Sequence, residues 1–328
     1  AGEVRSIFGV NSEEPPPHLL AAGESDGEPL LVDITEGVSS TVEGELPDEN
    51  GEGLDWVHSN GLSIAVTERA DPGASEPARL SIRDDAETLW REVPQDGRGR
   101  RAAWVAPLLD SEENWRAAGA VSVGDEWQLH AWQAGEHWRL LDREGELFVA
   151  GTPGPQTVLA ATTETSVAVA GAVSGRRSGG GVPQVWSISD DLDGGPRRWE
   201  RHPMASTPDE LTDIAEWALG WWVAGHRRYR PVVYDFDEGN GRALPVPATR
   251  LDPEHPAVFI ARVPISASLV LATQSVDGPA VWIAEGRRWV RLPAPPGRLM
   301  AAEEVGGGVY LLVDGAVWYR KLPGAGRA

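Results

Sequence analysis

One short pattern recurs along this chain and constrains its fold more than any other feature: an apolar run, a polar loop and a second apolar run. Each pair of runs has the length and alternation typical of two antiparallel strands joined by a hairpin. The seven copies begin at Leu19, Leu62, Trp115, Ser166, Trp221, Ser268 and Gly308. Recurrence of one supersecondary unit indicates a repeat architecture.

The stretch from Leu211 to Pro247 shows the complete unit, with four apolar runs separated by turn residues. Most units share an ending, and six such endings are recognisable, at Pro47, Pro94, Asp142, Pro203, Pro247 and Pro293. The usual interval of about 40–50 residues is what a four-stranded propeller blade needs. A terminal proline suits the outermost strand, since proline cannot donate to a ladder of hydrogen bonds.

The repeat therefore predicts an all-β fold, a seven-bladed β-propeller of four-stranded antiparallel blades with a short last blade. The predicted blades cover residues 1–47, 48–94, 95–142, 143–203, 204–247, 248–293 and 294–323, and 324–328 form a flexible tail. The run Val4–Val10 has two interpretations. It is the first strand of the first blade, which we favour, or it closes the ring by pairing with the last blade.

Tryptophans recur at one place in the fourth strand of the units, at positions 90, 138, 199 and 289. We expect them to pack between neighbouring blades, and a platform for stacking carbohydrate is the alternative.

Charge and composition limit the classes of partner that we expect this chain to bind. The formal net charge of −21 repels phosphate, so we expect neither nucleic acid nor an anionic membrane as a partner. No apolar run is long enough to span a bilayer, and no signal-peptide pattern opens the chain. The chain contains no cysteine, which removes disulfides and zinc–thiolate sites. We expect a secreted or cell-surface protein whose signal was removed, with a cytoplasmic location left open.

Several hairpins between the third and fourth strands carry a recurring turn pattern of Asp, Gly and Trp. The clearest copy lies at 185–203. A second copy keeps Asp84, Asp85 and Trp90. A third keeps Asp235, Asp237 and Gly239, and a fourth keeps Gly286 and Trp289. These segments resemble the Asp-box of the BNR-repeat, sialidase-like propellers. The resemblance implies a fold in which the aspartate caps a hairpin turn, and it implies no reaction. The only early arginine segment, Arg5–Phe8, lacks the proline of the sialidase signature, which argues against sialidase chemistry.

A ligand site is predicted on the propeller face where the loops after the second and fourth strands emerge. Two loops on that face concentrate cations, Arg176–Arg177 and the run His226, Arg227, Arg228, Tyr229 and Arg230, and residues 98–101 add further arginines. Equivalent positions at the ends of second strands include Glu24, Glu68 and Gln274. Clustered arginines could grip a carboxylate, sulfate or phosphate through paired hydrogen bonds. An ordinary exposed turn is the alternative.

Carboxylates of the innermost strands offer a different chemistry. Asp213 and Glu216 of the fifth blade, with Glu303 and Glu304 of the seventh, are candidates to line the central channel. A pair of carboxylates at suitable separation could hydrolyse glycosidic bonds. No histidine pair has a metal-ligand spacing, and the acidic loop at 48–52 lacks the periodicity of an EF-hand, so neither a metal nor a cofactor is predicted.

The sequence thus favours a non-catalytic binding propeller that presents its loop face to a protein or glycan ligand, and we expect a monomer. A glycoside hydrolase or lyase that uses the channel carboxylates is the first alternative. A structural or assembly-factor propeller is the second.

Overall fold

The fold is described from a computed structural model. It describes residues 2–10, 18–25, 28–35, 38–42, 54–59, 63–68, 80–84, 87–90, 104–109, 115–123, 126–133, 138–142, 146–148, 159–162, 166–174, 181–189, 198–217, 220–236, 240–263, 268–285, 288–305 and 308–322. These residues form strands, turns and short connections. The tail 324–328, the acidic loop 48–52 and the arginines at 98–101 lie outside them.

The described strands form seven antiparallel sheets, numbered here in chain order. Sheet 1 contains β1 (Gly2–Val10), β2 (His18–Ser25), β3 (Glu28–Thr35) and β4 (Val38–Thr41). Sheet 2 contains β5 (Leu54–Ser59), β6 (Ser63–Glu68), β7 (Leu80–Asp84) and β8 (Glu87–Trp90). Sheet 3 contains β9 (Trp104–Leu109), β10 (Trp115–Val123), β11 (Glu126–Gln133), β12 (Arg139–Leu140) and β13 (Glu146–Phe148). Sheet 4 contains β14 (Leu159–Thr162), β15 (Ser166–Ser174), β16 (Gly181–Ser189) and β17 (Glu200–His202).

The remaining three sheets follow the same order along the chain. Sheet 5 contains β18 (Glu210–Trp217), β19 (Gly220–Arg227), β20 (Arg230–Phe236) and β21 (Arg242–Ala243). Sheet 6 contains β22 (Val258–Val263), β23 (Ser268–Ser275), β24 (Gly278–Glu285) and β25 (Arg288–Leu292). Sheet 7 contains β26 (Leu299–Val305), β27 (Gly308–Val313) and β28 (Ala316–Lys321).

Within each sheet, strands that follow one another along the chain pair side by side. β13 is an exception, because it pairs with β11 beside β12 in sheet 3. The sequence placed residues 143–203 in the fourth blade, whereas Glu146–Phe148 completes the third sheet. A three-residue strand carries too little pattern to be assigned from sequence.

Alternation along the second strand of each sheet explains how neighbouring sheets pack. In β19, Trp221 and Val223 join a buried cluster with sheet 4, whereas Trp222 and Ala224 join a cluster with sheet 6. Successive side chains of a strand point to opposite faces, so a strand that is apolar on both faces must be covered on both sides. Seven such clusters join neighbouring sheets in the described residues, including one between sheets 7 and 1.

The fourth-strand tryptophans whose side chains are described lie in these inter-sheet layers. Trp138 packs against the cluster between sheets 2 and 3, Trp199 against that between sheets 3 and 4, and Trp289 against that between sheets 5 and 6. The indole of Trp199 also donates to Asp142 of sheet 3 at 3.3 Å. These rings pack between neighbouring sheets, as the sequence predicted.

The run Val4–Val10 belongs to β1, which pairs with β2 as the first strand of sheet 1. The first strand of each sheet contacts the first strand of the next, and β26 contacts β1. At this last contact a Cβ on Gly9 would meet the side chain of Val305 and, at 3.0 Å, the carbonyl oxygen of Glu304. Side-chain packing between the first and last sheets therefore closes the ring.

Candidate ligand-binding rim

The turn between β19 and β20 carries the cations that the sequence singled out. We call Arg227–Arg230 the arginine hairpin. Arg227 pairs with Arg230, and the two residues between them, Arg228 and Tyr229, both have positive φ, at 51° and 56°. Two central residues in the left-handed region define a type I′ turn, the form that matches the twist of a two-residue hairpin.

This turn is built from residues that avoid its backbone conformation. Type I′ turns favour Asn-Gly or Asp-Gly, and sheet 7 follows that rule with Asp314 at φ 50° and Gly315 at φ 74°. A residue with a Cβ in the left-handed region costs about 1–2 kcal/mol. Arg228 and Tyr229 therefore hold strain that an Asn-Gly turn would avoid, and such strain is often found at functional sites.

Hydrogen bonds from the loop before β18 hold the strained turn in place. The backbone N–H of Arg228 donates to the carboxylate of Asp209. The N–H of Asp209 donates to the carbonyl of His226 at 2.7 Å, and the N–H of Leu251 donates to the carbonyl of Tyr229 at 2.9 Å. The hairpin is thus hydrogen-bonded to the connections that enter sheets 5 and 6. In this region the loop after a second strand and the loops after fourth strands therefore emerge on one face, as the sequence predicted.

His226 supports the hairpin from below and is not part of its exposed surface. Its side chain is buried, and its Nε2 lies 3.2 Å from a carboxylate oxygen of Glu210. The imidazole stacks on the ring of Tyr229, with centroids 6.1 Å apart and planes 10° apart. The imidazole thus fixes the position of the Tyr229 ring, which is 44% exposed.

The side chains of Arg227, Arg228 and Arg230 are all exposed. None of their guanidinium groups forms an ion pair or hydrogen bond with another residue in the described part of the chain. Three exposed guanidinium groups therefore stand on this turn in a chain of net charge −21, and the carboxylates of Asp209 and Glu210 contact the same segment. Guanidinium groups match carboxylates and sulfates through paired hydrogen bonds.

Among the other predicted ligand residues, the structure describes the side chains of Glu24 and Gln274. Arg176 and Arg177 lie outside the described residues, and Glu68 ends β6 with its side chain outside them. Glu24 is half-buried near the end of β2. Gln274 is buried, and its carboxamide oxygen accepts the N–H of Leu299 at 2.8 Å, so its side chain joins sheet 6 to sheet 7.

The predicted channel carboxylates lie on the first strands of sheets 5 and 7. Burial raises the pKa of Asp213 to about 7, against two backbone hydrogen bonds that lower it. Burial raises the pKa of Glu303 to about 8, and the charges of Asp213 and Glu304 add to the rise. The side chain of Glu304 is buried, whereas Glu216 is exposed. Because the charge of Asp213 contributes to the raised pKa of Glu303, these two carboxyl groups lie near enough to interact electrostatically.

Asp213 nevertheless has a structural task. Its Oδ1 accepts the N–H of Ile214 at 2.9 Å, and its Oδ2 accepts the N–H of Ile260 at 2.7 Å. The second bond crosses from β18 to β22. Beside it, the hydroxyl of Thr212 donates to the carbonyl of Val258 at 2.6 Å. With both oxygens engaged by backbone amides, Asp213 fastens sheet 5 to sheet 6 at the inner edge.

A further buried polar pair was missed by the sequence reading. His130 Nδ1 lies 2.7 Å from Asp142, whose second oxygen accepts the N–H of Ala131 at 2.9 Å. Asp142 stands where other units end in proline, and that departure was the available signal. Asp209 and Glu210 were also missed, and their position at the start of β18 was the available signal.

The described residues bear on three other kinds of site: metal, membrane and catalytic. No group of three histidine or acidic side chains there could hold a metal ion, and no helix there is long and apolar enough to cross a bilayer. A cavity of about 480 Å³ lies at sheet 6, lined by Asp277, Arg291 and the segment 293–296. It contains one carboxylate, whereas glycoside hydrolysis needs two.

Relieving the strain of this turn should not lower the stability of the fold. We expect the free energy of unfolding of the double variant Arg228→Asn/Tyr229→Gly to equal that of wild type or to exceed it by up to about 1 kcal/mol. The reason is that both new residues accept positive φ readily. Urea denaturation monitored by circular dichroism measures this. A loss of stability above about 1 kcal/mol would show that the His226–Tyr229 stack outweighs the strain.

Comparison with known proteins places this architecture. No protein-family model and no curated protein sequence matches the chain. Solved structures do match it over nearly its whole length. YCF48 bound to D1 peptide aligns with a TM-score of 0.59 at 14% identity, over 98% of this chain and 92% of that one. The β-propeller domain of the trilobed protease from Pyrococcus furiosus aligns at 0.55 and 11%, over 99% and 98%.

This chain is a β-propeller. A six-bladed fungal lectin, the Aleuria aurantia lectin, also aligns, with a TM-score of 0.51 at 10% identity over 90% of this chain and 96% of that one. Identities this low establish the propeller fold alone, because one fold serves many functions. The Asp-box resemblance stays a sequence pattern, since Asp85, Asp237, Gly239 and Gly286 lie outside the described residues. The carboxylate of Asp235, which is described, accepts a hydrogen bond from the guanidinium group of Arg242 at 3.2 Å.

Proposed function

We propose that this chain is a non-catalytic, seven-bladed binding propeller that uses the arginine hairpin to hold an anionic group of a protein or glycan ligand. One observation carries the proposal: three exposed guanidinium groups without partners in the described residues stand on a strained turn that Asp209 and Leu251 hold. A turn that only had to connect two strands would not need arginine and tyrosine at its left-handed positions.

The blade number rests on the ring of packed sheets. Seven sheets are described, and seven apolar clusters join each sheet to the next and the last to the first. The aligned lectin has six blades, so the solved structures do not fix the number. We infer seven blades from the packing, with the Asp-box resemblance as a proposed relationship.

The ligand class follows from the chemistry of the hairpin. A guanidinium group donates two parallel hydrogen bonds to a carboxylate or sulfate, and the ring of Tyr229 offers a flat apolar surface beside them. Acidic peptides and acidic sugars both present such groups next to apolar atoms. Among the aligned propellers, one is described with a bound peptide and another as a lectin that recognises fucose, which supports the protein and glycan classes equally.

Catalysis is the weaker alternative. Asp213 and Glu303 have raised pKa values, as acids in catalytic sites often do. Both carboxylate oxygens of Asp213, however, accept hydrogen bonds from backbone amides of two sheets, which leaves Asp213 poorly placed to attack a substrate. A purely structural, assembly-factor role would leave the exposed arginines unexplained.

The test compares two double variants that make the same change of charge. Arg227→Glu/Arg228→Glu alters the hairpin, and Arg198→Glu/Arg201→Glu alters exposed arginines on the outer side of sheet 4. The probes are a heparin hexasaccharide, a hexaglutamate peptide and a neutral cello-oligosaccharide, measured by isothermal titration calorimetry at low salt.

We expect the wild-type chain to bind at least one anionic probe and not the neutral one, with binding that weakens as salt screens the charges. The hairpin variant should bind at least about tenfold more weakly, because hydrogen bonds to charged groups contribute about 1.5–3 kcal/mol each. The sheet 4 variant should bind within about twofold of wild type. Equal losses in both variants, or none in the hairpin variant, would contradict the proposal.

A further inference from the structure

In the described residues, sheet 7 has one strand fewer than any four-stranded sheet and ends on an open strand. Every other sheet has at least four strands in the described residues, whereas in sheet 7 the third strand, β28 (Ala316–Lys321), forms the outer edge, with no described strand beside it on the side away from β27. An open edge presents a row of backbone N–H and C=O groups that an extended segment can pair with.

The turn at Asp314–Gly315 fixes which backbone groups face outward. In a two-residue hairpin the residues that flank the turn, here Val313 and Ala316, form a hydrogen-bonded pair. Groups alternate along the strand, so Trp318 and Arg320 also bond inward to β27. The N–H and C=O groups of Val317, Tyr319 and Lys321 therefore point to the open side.

The side chains of β28 form a matching pattern on each face of the strand. Trp318 and Arg320 share one face, and Tyr319 and Lys321 share the other. Trp318 is 50% exposed and Tyr319 52% exposed, and both cations are exposed. Each face thus offers an aromatic ring followed by a cation.

The aromatic surface is fixed in place on one face. The ring of Tyr319 lies 4.9 Å from that of Tyr310 between centroids and covers Gly308, where a Cβ would meet it. A preset ring loses little freedom when a ligand packs on it, which favours binding over disorder at this edge.

We propose that the open edge of β28 binds an extended, acidic–apolar segment of a partner protein as an added antiparallel strand. Antiparallel pairing places the partner residues opposite Lys321, Arg320, Tyr319 and Trp318 in that order. Charge complementarity then specifies two acidic residues followed by two apolar ones, with one acid and one apolar side chain on each face. This site is separate from the arginine hairpin and does not depend on it.

A second copy of this chain fits the edge less well. Two β28 strands can pair around a twofold axis only in registers that match outward groups with outward groups. The registers centred on Trp318 or Tyr319 place Arg320 opposite Ala316 or Trp318 of the other copy, so no acid faces either cation. Two chains of net charge −21 also repel each other.

The experiment uses a fluorescein-labelled peptide with an Asp-Glu-Val-Val core, measured by fluorescence anisotropy against the full chain. The key variant is Tyr319→Pro, which removes an outward N–H and no bond to β27, and proline is tolerated at such edge positions. Tyr319→Ala is its matched control, since it removes the ring and keeps the N–H. Thermal unfolding checks that both variants fold.

We expect Tyr319→Pro to weaken peptide binding at least about tenfold, and clearly more than Tyr319→Ala does. Arg320→Glu/Lys321→Glu should lose the acidic peptide and gain a Lys-Arg-Val-Val peptide, a swap that a general loss of structure cannot produce. Arg227→Glu/Arg228→Glu should leave this binding within twofold, which keeps the two sites distinguishable.

Four outcomes would overturn the proposal. One is peptide binding by wild type that is absent or indifferent to charge. A second is equal binding by Tyr319→Pro and Tyr319→Ala. A third is a concentration-dependent dimer in light scattering that Tyr319→Pro abolishes, which would assign the edge to a second copy. The fourth is peptide binding that appears only after removal of residues 323–328, which would assign the edge to the chain's own tail.

Discussion

Replacing Phe236 by alanine is expected to lower the free energy of unfolding by about 3–5 kcal/mol, the usual cost of deleting a buried aromatic side chain. Phe236 is 1% exposed, within the cluster that joins sheets 4 and 5. Its ring lies so close to Gly241 that a Cβ there would meet it at 2.6 Å. Such a tightly enclosed ring leaves a cavity that its neighbours cannot fill.

Urea denaturation followed by tryptophan fluorescence measures this loss. Trp318→Ala is the matched control, because Trp318 is half exposed at an open edge and its removal should change stability by about 0.5 kcal/mol or less. A loss below about 1 kcal/mol for Phe236→Ala would contradict the packing of sheet 4 against sheet 5.

Stability should fall as the pH rises from about 4.5 to about 8. The pKa of Asp213 is raised to about 7 and that of Glu303 to about 8, both chiefly by burial. In this window the folded chain holds protons that the unfolded chain has released, so higher pH favours the unfolded chain. The effect vanishes only well below pH 3.8, the ordinary pKa of an aspartate, where both carboxyl groups are protonated in either state.

Glu303→Gln isolates the contribution of one carboxylate. At pH 8.5 we expect this variant to be more stable than wild type by about 1–3 kcal/mol, a range kept low because the side chain is partly accessible to water. At pH 4.5 the two proteins should agree within about 0.5 kcal/mol. Urea denaturation at several pH values gives the comparison, and a difference independent of pH would show that Glu303 does not titrate in this range.

The sequence was sufficient to predict the hairpins and the propeller fold because both depend on local pattern. Each of the seven apolar–loop–apolar stretches is an antiparallel pair in the structure. Burial on both faces of the second strands follows from their continuous apolar runs, as in Trp221–Ala224. The packing role of the fourth-strand tryptophans follows from their fixed place in the unit.

The candidate site was predicted only in part, because its geometry depends on contacts between distant segments. The cationic run 226–230 was visible in the sequence, but the burial of His226 and the bond from Arg228 to Asp209 were not. Gln274 occupies a rim position in the alignment of the units, yet its carboxamide reaches Leu299 of the next sheet. Whether a polar side chain faces solvent or a neighbouring sheet is set by packing that the repeat does not encode.

The channel carboxylates show the same limit. The sequence placed Asp213 and Glu303 on first strands and offered them as a catalytic pair. It could not show that Asp213 accepts the N–H of Ile260 across the gap between two sheets. That bond depends on how sheets 5 and 6 are rotated against each other, and no local pattern reports it.

The most direct test of the binding claim is a hydrogen–deuterium exchange footprint of the wild-type chain with whichever anionic probe binds it. Binding at the arginine hairpin should slow exchange at residues 209–210 and 226–230 and leave residues 211–217 of sheet 5 and the first strand of sheet 7 unchanged. Slowed exchange confined to residues 213–216 and 299–305 would place the ligand in the channel instead. That result would contradict the binding rim and favour the carboxylate chemistry.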